Sequence, residues 1–185
     1  QTCALPICLD RSWRDSESWT GVGPAGLRAR EEAVDSITLR AWKQVGGSYV
    51  LAANEARTAS PEMHETGLGP IVLLPRVLKD DYTVIVRDGT LFSQGLVTAW
   101  LAGTRKLRAI GGLAVVAGHT QIIVDGPRLN AVRTVADTAR AEGGWWFAQA
   151  DEAADWWLNR SAVEVRWRSE EHTSELQSPC NLVCR

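Results

Sequence analysis

Several things that would name a function class at once are missing. Basic excess is one: 20 Lys and Arg stand against 22 Asp and Glu, a formal net charge of −2. Nothing in that balance points to nucleic acid as a partner. No apolar run approaches the roughly 18 residues of a membrane span. No internal repeat or low-complexity block appears. A phosphate-cradling glycine loop should follow a strand and open a helix. The only candidate, "GVGPAG" (21–26), does neither. Histidine is scarce, with three in all, and the four cysteines (Cys3, Cys8, Cys180, Cys184) sit only near the ends.

The ends carry their own signal. "QTCALPI" (1–7) looks like one translated frame of a common short-read sequencing adapter. "RSEEHTSELQS" (168–178) looks like its reverse complement, and "NLVCR" (181–185) like the continuation. Residues 1–7 and 168–185 are therefore expected to be library sequence, excluded from fold reasoning. On this reading residues 8–167 are one truncated domain, in line with a prior of about 100–200 residues per domain. The cysteines then say nothing about redox compartment. The rival metal site of His172 with Cys180 and Cys184 falls away, and features missing at either end carry no weight.

What is present is enough apolar residue, 45% of the chain, to bury a core. The first stretch, to Glu32, is polar and punctuated by Gly and Pro. It reads as loop, with one short strand near Gly26–Ala29. "AVDSITLRAWKQVGG" has near-helical apolar spacing, with Asp35 or Ser36 as N-cap and Gly46-Gly47 as the stop. "SYVLAA" and "IVLLP" read as strands, the second closed by Pro75, with a long loop between them. "YTVIV" also reads as a strand. Residues 91–110 read as a helix weakened by Gly95 and Gly103. Then come strand "LAVVA", a helix opened by Pro127, strand "WWFAQ", helix "DEAADWWLNR" and a terminal strand "AVEVRW".

Strand and helix in alternation predict an α/β fold of parallel β/α units. The strands are continuous apolar runs, as expected when both faces are covered. In such folds functional groups gather at the C-terminal ends of strands. His119 holds that position after LAVVA. Asp80 and Asp81 hold it after IVLLP, across a short link.

The stretch from about Val72 to Arg160 resembles the polysaccharide deacetylases. The residues that carry the likeness are "VLLPRVLKDDY", "GGLAVVAGHTQ" and "GGWWFAQADEAADWWLNR". Upstream, "AGLRAREEAVDSITLRAWKQVGGSYV" looks like the family segment built on an Arg-x-Pro motif, although Arg30 stands where the family has Pro. The resemblance implies a partial, distorted (β/α) barrel. It also implies a parent hydrolase of carbon–nitrogen bonds other than peptides, taking N-acetyl or O-acetyl groups from a polysaccharide or amino sugar.

Its residue roles carry over position by position. His119 would be the general acid, with Asp80 or Asp81 the carboxylate that orients its ring. Imidazole suits the role because it exchanges protons near neutral pH. Arg28 would pair with a catalytic base, and Tyr82 would wall the substrate pocket. The family uses a zinc-like divalent ion held by Asp-His-His. Both motifs that supply those ligands are absent, so this chain is expected to hold no metal and to be inactive. His64, in "SPEMH", lacks partner ligands in the sequence. Core packing is the expectation for one member of each Trp pair, Trp145-Trp146 and Trp156-Trp157, with the other covering an edge. The implied partner is a carbohydrate. The resemblance allows an extracytoplasmic location, and oligomeric state stays open. Two rivals stand beside it: a non-catalytic carbohydrate-binding domain of the same fold, and an unrelated α/β enzyme.

Overall fold

The computed structural model describes residues 4–29, 32–53, 59–90, 92–123 and 126–164. In chain order the elements are α1 (Ala4–Thr20), β1 (Gly26–Arg28), α2 (Ser36–Gln44), β2 (Tyr49–Ala53), β3 (Glu62–Glu65) and β4 (Pro70–Arg76). A π-helical turn (Thr83–Arg87) follows, then α3 (Ser93–Ala109), α4 (Thr120–Ile123), α5 (Gly126–Glu142) and α6 (Ala150–Ser161).

The four strands form one sheet in the order β1-β2-β4-β3. β1 runs parallel to β2, and β2 parallel to β4, with Tyr49 opposite Val72. β3 returns antiparallel on β4. Arg28, Ala53 and Arg76, the last residues of the three parallel strands, therefore lie at one end of the sheet. The opposite end of β4 begins at a tight turn, Thr66–Gly69. There the Thr66 hydroxyl donates to the Gly69 carbonyl at 2.7 Å, and Gly67 and Gly69 take left-handed φ values of 79° and 109°.

β4 shows why a continuous apolar run is needed. Ile71 packs with Leu39, Trp42 and Val50, beneath α2. Val72 and Leu74 point the other way, toward Ala154 and Trp157 of α6. A third cluster joins Leu96, Val97 and Trp100 of α3 to Ala131 and Val135 of α5 and to Val84. Asp35 caps α2 by accepting the Thr38 N–H at 2.7 Å, and the helix ends ahead of Gly46 (φ 101°), both as the sequence suggests.

Several expectations need correction. The polar N-terminal stretch is not loop but α1. Leu9 and Trp13, one turn apart, lie against the Leu39–Trp42 cluster, and that packing overrides the polar composition. The long loop after β2 contains β3, whose Met63 packs onto the Val72–Leu74 face. β4 continues through Pro75, which lies beyond β3's last pairing at Leu73. "YTVIV" is helical rather than extended, because Asp80 caps the turn and Val84 enters the α3–α5 core.

Finally, "LAVVA" and "WWFAQ" run without a regular strand ladder among the described residues. β2 holds one edge of β4 and β3 holds the other from Pro70 to Leu73. The barrel is thus not closed. A hollow of about 920 Å³ remains between Leu51, Leu74, Leu113, Trp146, Phe147 and Trp156. Of the expected terminal strand (162–167), residues 165–167 lie outside the described residues, and the described part is not extended into a strand: Ala162 ends α6. Trp157, half-buried, packs against the Val72–Leu74 cluster while Trp156 is half exposed, in line with the expectation for that pair; of the other pair Trp146 is exposed and Trp145, half-buried, lines the hollow rather than a core cluster. No described helix is long and apolar enough to cross a membrane.

Candidate active site

The site is built on the link that follows β4. Leu78 is buried, and Gly103 makes room for it. A Cβ on Gly103 would lie 2.4 Å from the Leu78 Cδ2. The mid-helix glycine thus serves a close approach rather than helix stability. One residue on, the Lys79 carbonyl accepts the indole N–H of the buried Trp100 at 2.8 Å. Pinned at both residues, the link delivers Asp80 and Asp81 to fixed positions.

Asp81 is fully buried. Its Oδ1 lies 2.7 Å from His119 Nδ1 and accepts the Tyr82 backbone N–H at 2.8 Å. Its Oδ2 accepts the His119 backbone N–H at 2.8 Å. A carboxylate in its ionised form can only accept, and against that form the His119 Nδ1 is the donor of the pair. Backbone and ring of His119 are thereby fixed by the same side chain, across 38 residues of sequence. The His119 carbonyl accepts the N–H groups of Ile122 and Ile123, which starts α4 and settles the chain after the histidine. With Nδ1 held, Nε2 is the ring nitrogen available to a substrate. The side chain is 34% exposed, which lets one reach it.

Asp80 does a different job. Its Oδ1 accepts the Thr83 N–H at 2.7 Å, capping the helical turn, and its Oδ2 lies 3.6 Å from Arg76 Nη1. Burial opposes its charge, but hydrogen bonds from the Thr83 hydroxyl and backbone N–H outweigh it. The charges of Arg76 and His119 help to hold the carboxyl below the ordinary carboxylate range. A depressed folded-state pKa contributes stability above the unfolded value of about 3.9, lost as pH falls through the folded one. Asp80→Asn keeps a capping oxygen but gives up the charge that strengthens the bonds to Thr83 and the pairing with Arg76, and is therefore expected to cost about 1 kcal/mol near neutral pH. Urea unfolding at about pH 7 and about pH 3 should show the gap between variant and parent narrowing in acid. A gap that stays constant contradicts the assignment.

The remaining expected residues fall as follows. Tyr82 is 45% exposed, and its ring centroid lies 6.0 Å from that of His119, so it stands beside the imidazole. Arg28, at the end of β1, bonds to Glu32 at 3.0 Å. His64 is on β3 opposite Ile71. His172, Cys3, Cys180 and Cys184 lie outside the described residues; Cys8, on α1, is exposed. "GVGPAG" leads into β1 rather than out of a strand.

Sequence reasoning missed two residues at this end of the sheet, Glu32 and Arg76. Arg76 directs Nε and Nη2 to the two oxygens of Glu32, the latter at 3.0 Å. Their separation of 44 residues left no local pattern to read.

Among the described residues no group of three or more His, Cys, Asp or Glu side chains is placed to hold a metal ion. The acidic residues beside His119 do not fit the role. The oxygens of Asp81 are engaged by His119 and Tyr82, and those of Asp80 by Thr83 and Arg76.

Solved structures with the same architecture decide the fold. One, assigned as a polysaccharide deacetylase from Mycobacterium smegmatis, superposes with a TM-score of 0.76 at 21% identity over 93% of this chain. The chain has the polysaccharide deacetylase fold. A second such protein, from Pseudomonas aeruginosa PAO1, gives a TM-score of 0.69 at 18% identity over 82% of the chain. The allantoinase PuuE gives 0.68 at 19% identity over 80%. The chain spans 62%, 52% and 50% of these three structures. No protein-family model and no curated protein matches the sequence. With this fold the barrel expectation stands in its coarse form, as an α/β chain with a mostly parallel sheet, and the rival of an unrelated α/β fold is set aside.

Proposed function

We propose that the protein belongs to a hydrolase that removes acetyl groups from an amino sugar or polysaccharide, and that this chain carries the acid side of its site. The supporting observation is the buried Asp81 beneath His119, at a strand-end link of a deacetylase fold. In this reading water adds to the acetyl carbonyl carbon and the C–N bond breaks. The proton the departing nitrogen needs comes from His119 Nε2. Asp81 keeps the ring in one tautomer and steadies the charge it carries before transfer. Asp80 shapes the turn that bears Tyr82, and Tyr82 walls the substrate beside the imidazole. Arg28 acts at one remove, through Glu32.

The described residues supply no metal-holding group, so we also propose that the 185-residue chain alone does not turn over. The direct test offers the purified chain zinc and an acetylated chitooligosaccharide. No stoichiometric zinc uptake and no acetate release is the expected result. Zinc uptake with acetate release overturns the inactivity. The deacetylase reading is tested separately in the parent gene upstream of Leu9. An Asp pair after an apolar strand and an H-x-x-x-H segment are expected there, and their absence counts against it.

One observation favours a second reading, a carbohydrate-binding domain of the same fold. Trp146, Phe147 and Trp156 are all exposed around the hollow, where aromatic faces can stack on sugar rings. Sugar binding that Trp156→Ala abolishes, in a parent gene without the metal motifs, would favour it.

A further inference from the structure

We propose that Glu32 and Arg76 form a positioning pair for the Asp81–His119 dyad; the proposal rests on the reading of His119 as the acid. Glu32 follows β1, and its side chain is 5% exposed. Its backbone φ is 56°, the left-handed region that a non-glycine residue enters at a cost of about 1 kcal/mol or more. Such a conformation persists only where its surroundings over-determine it. Here the determinant is Arg76, whose planar fork meets both carboxylate oxygens. Arg28 adds a third bond to the same carboxylate at 3.0 Å.

The guanidinium does not stop there. Arg76 Nη1 donates to the Leu78 carbonyl at 3.1 Å and lies 3.6 Å from Asp80 Oδ2. One side chain therefore fastens the segment after β1 to the link that carries Asp80 and Asp81, across the intervening strand β2. Trp100 holds the same link from the α3 side through the Lys79 carbonyl. Between the two, Asp81 has little freedom to drift from His119. A lysine at position 76 would keep the charge but could not make the fork and the carbonyl bond together.

The experiment follows His119 itself rather than turnover. In the full chain with ¹⁵N-labelled imidazoles, ¹⁵N shifts report which ring nitrogen carries the proton, and His119→Gln assigns the signal. The parent is expected to show the Nδ1–H tautomer as the dominant neutral form. Asp81→Asn should abolish that preference. Glu32→Gln, Arg76→Met and Arg76→Lys should each raise the Nε2–H form several-fold while unfolding stays cooperative. Glu32→Gln changes volume least, and it decides the matter if Arg76→Met does not fold. A parent-like His119 spectrum in folded Glu32→Gln overturns the positioning role while leaving the acid reading intact. A parent-like spectrum in Asp81→Asn overturns the dyad, and the positioning role with it.

Discussion

On the proposed deacetylase reading, replacing His119 by alanine in the parent hydrolase is expected to lower kcat about 10²–10⁴-fold, the range typical of removing a general acid. The proton to the departing nitrogen must then come from water. KM should change far less, because the ring's contribution arises as the C–N bond breaks rather than on binding. The substitution is a fair test because a third of the side chain already faces solvent, so little packing is lost. The backbone N–H of residue 119 keeps its bond to Asp81 in the variant. Stopped assays of acetate release, with thermal unfolding as the control, separate lost chemistry from lost fold. An unchanged kcat removes His119 from the mechanism.

Trp100→Ala should produce the largest loss of stability, about 4 kcal/mol, as expected for emptying a buried tryptophan site. Trp100 is 1% exposed and packs with Val84, Leu96, Val97, Ala131 and Val135, at the junction of α3, α5 and the turn after Asp81. For a chain of this length the loss corresponds to a drop in Tm of about 10 °C. The indole also holds the Lys79 carbonyl, so the alanine variant leaves that group without its donor. Trp100→Phe separates the two contributions. It keeps most of the apolar volume and gives up the hydrogen bond, and should cost about 1–2 kcal/mol. Equal losses for the two variants would show that packing is not what the indole supplies.

Part of this architecture can be read from residue order because the signals are local. Asp35 with Thr38, and Gly46 after the last turn, bound α2 by cap chemistry that acts within four residues. "IVLLP" advertises a strand buried on both faces, and β4 is one. Asp80 and Asp81 were legible as groups beyond a strand end, whereas the stretch before His119 forms no strand; the fold nevertheless brings Asp81 and His119 into contact.

What stayed hidden depends on distant partners. α1 exists because Leu9 and Trp13 find Leu39 and Trp42, which nothing in a polar stretch announces. "YTVIV" has strand composition, yet one cap at Asp80 and one buried Val84 make it helical. The choice between Asp80 and Asp81 as partner of the imidazole could not be made from adjacent identical residues. Geometry makes it: one accepts from the histidine and the other caps a turn. Glu32 and Arg76 lacked any signature because their pairing is purely tertiary.

The turn at Thr66–Gly69 has a practical consequence. β4 has seven residues, so at about 3.3 Å per residue its two ends are about 20 Å apart. Leu68 is half exposed at that turn, with Gly67 beside it facing open space. A fluorophore or spin label carried there on Leu68→Cys, with Cys3, Cys8, Cys180 and Cys184 replaced, would sit away from His119 on a stiff strand. It would give a fixed reference point for measuring distances to a bound sugar without touching the chemistry.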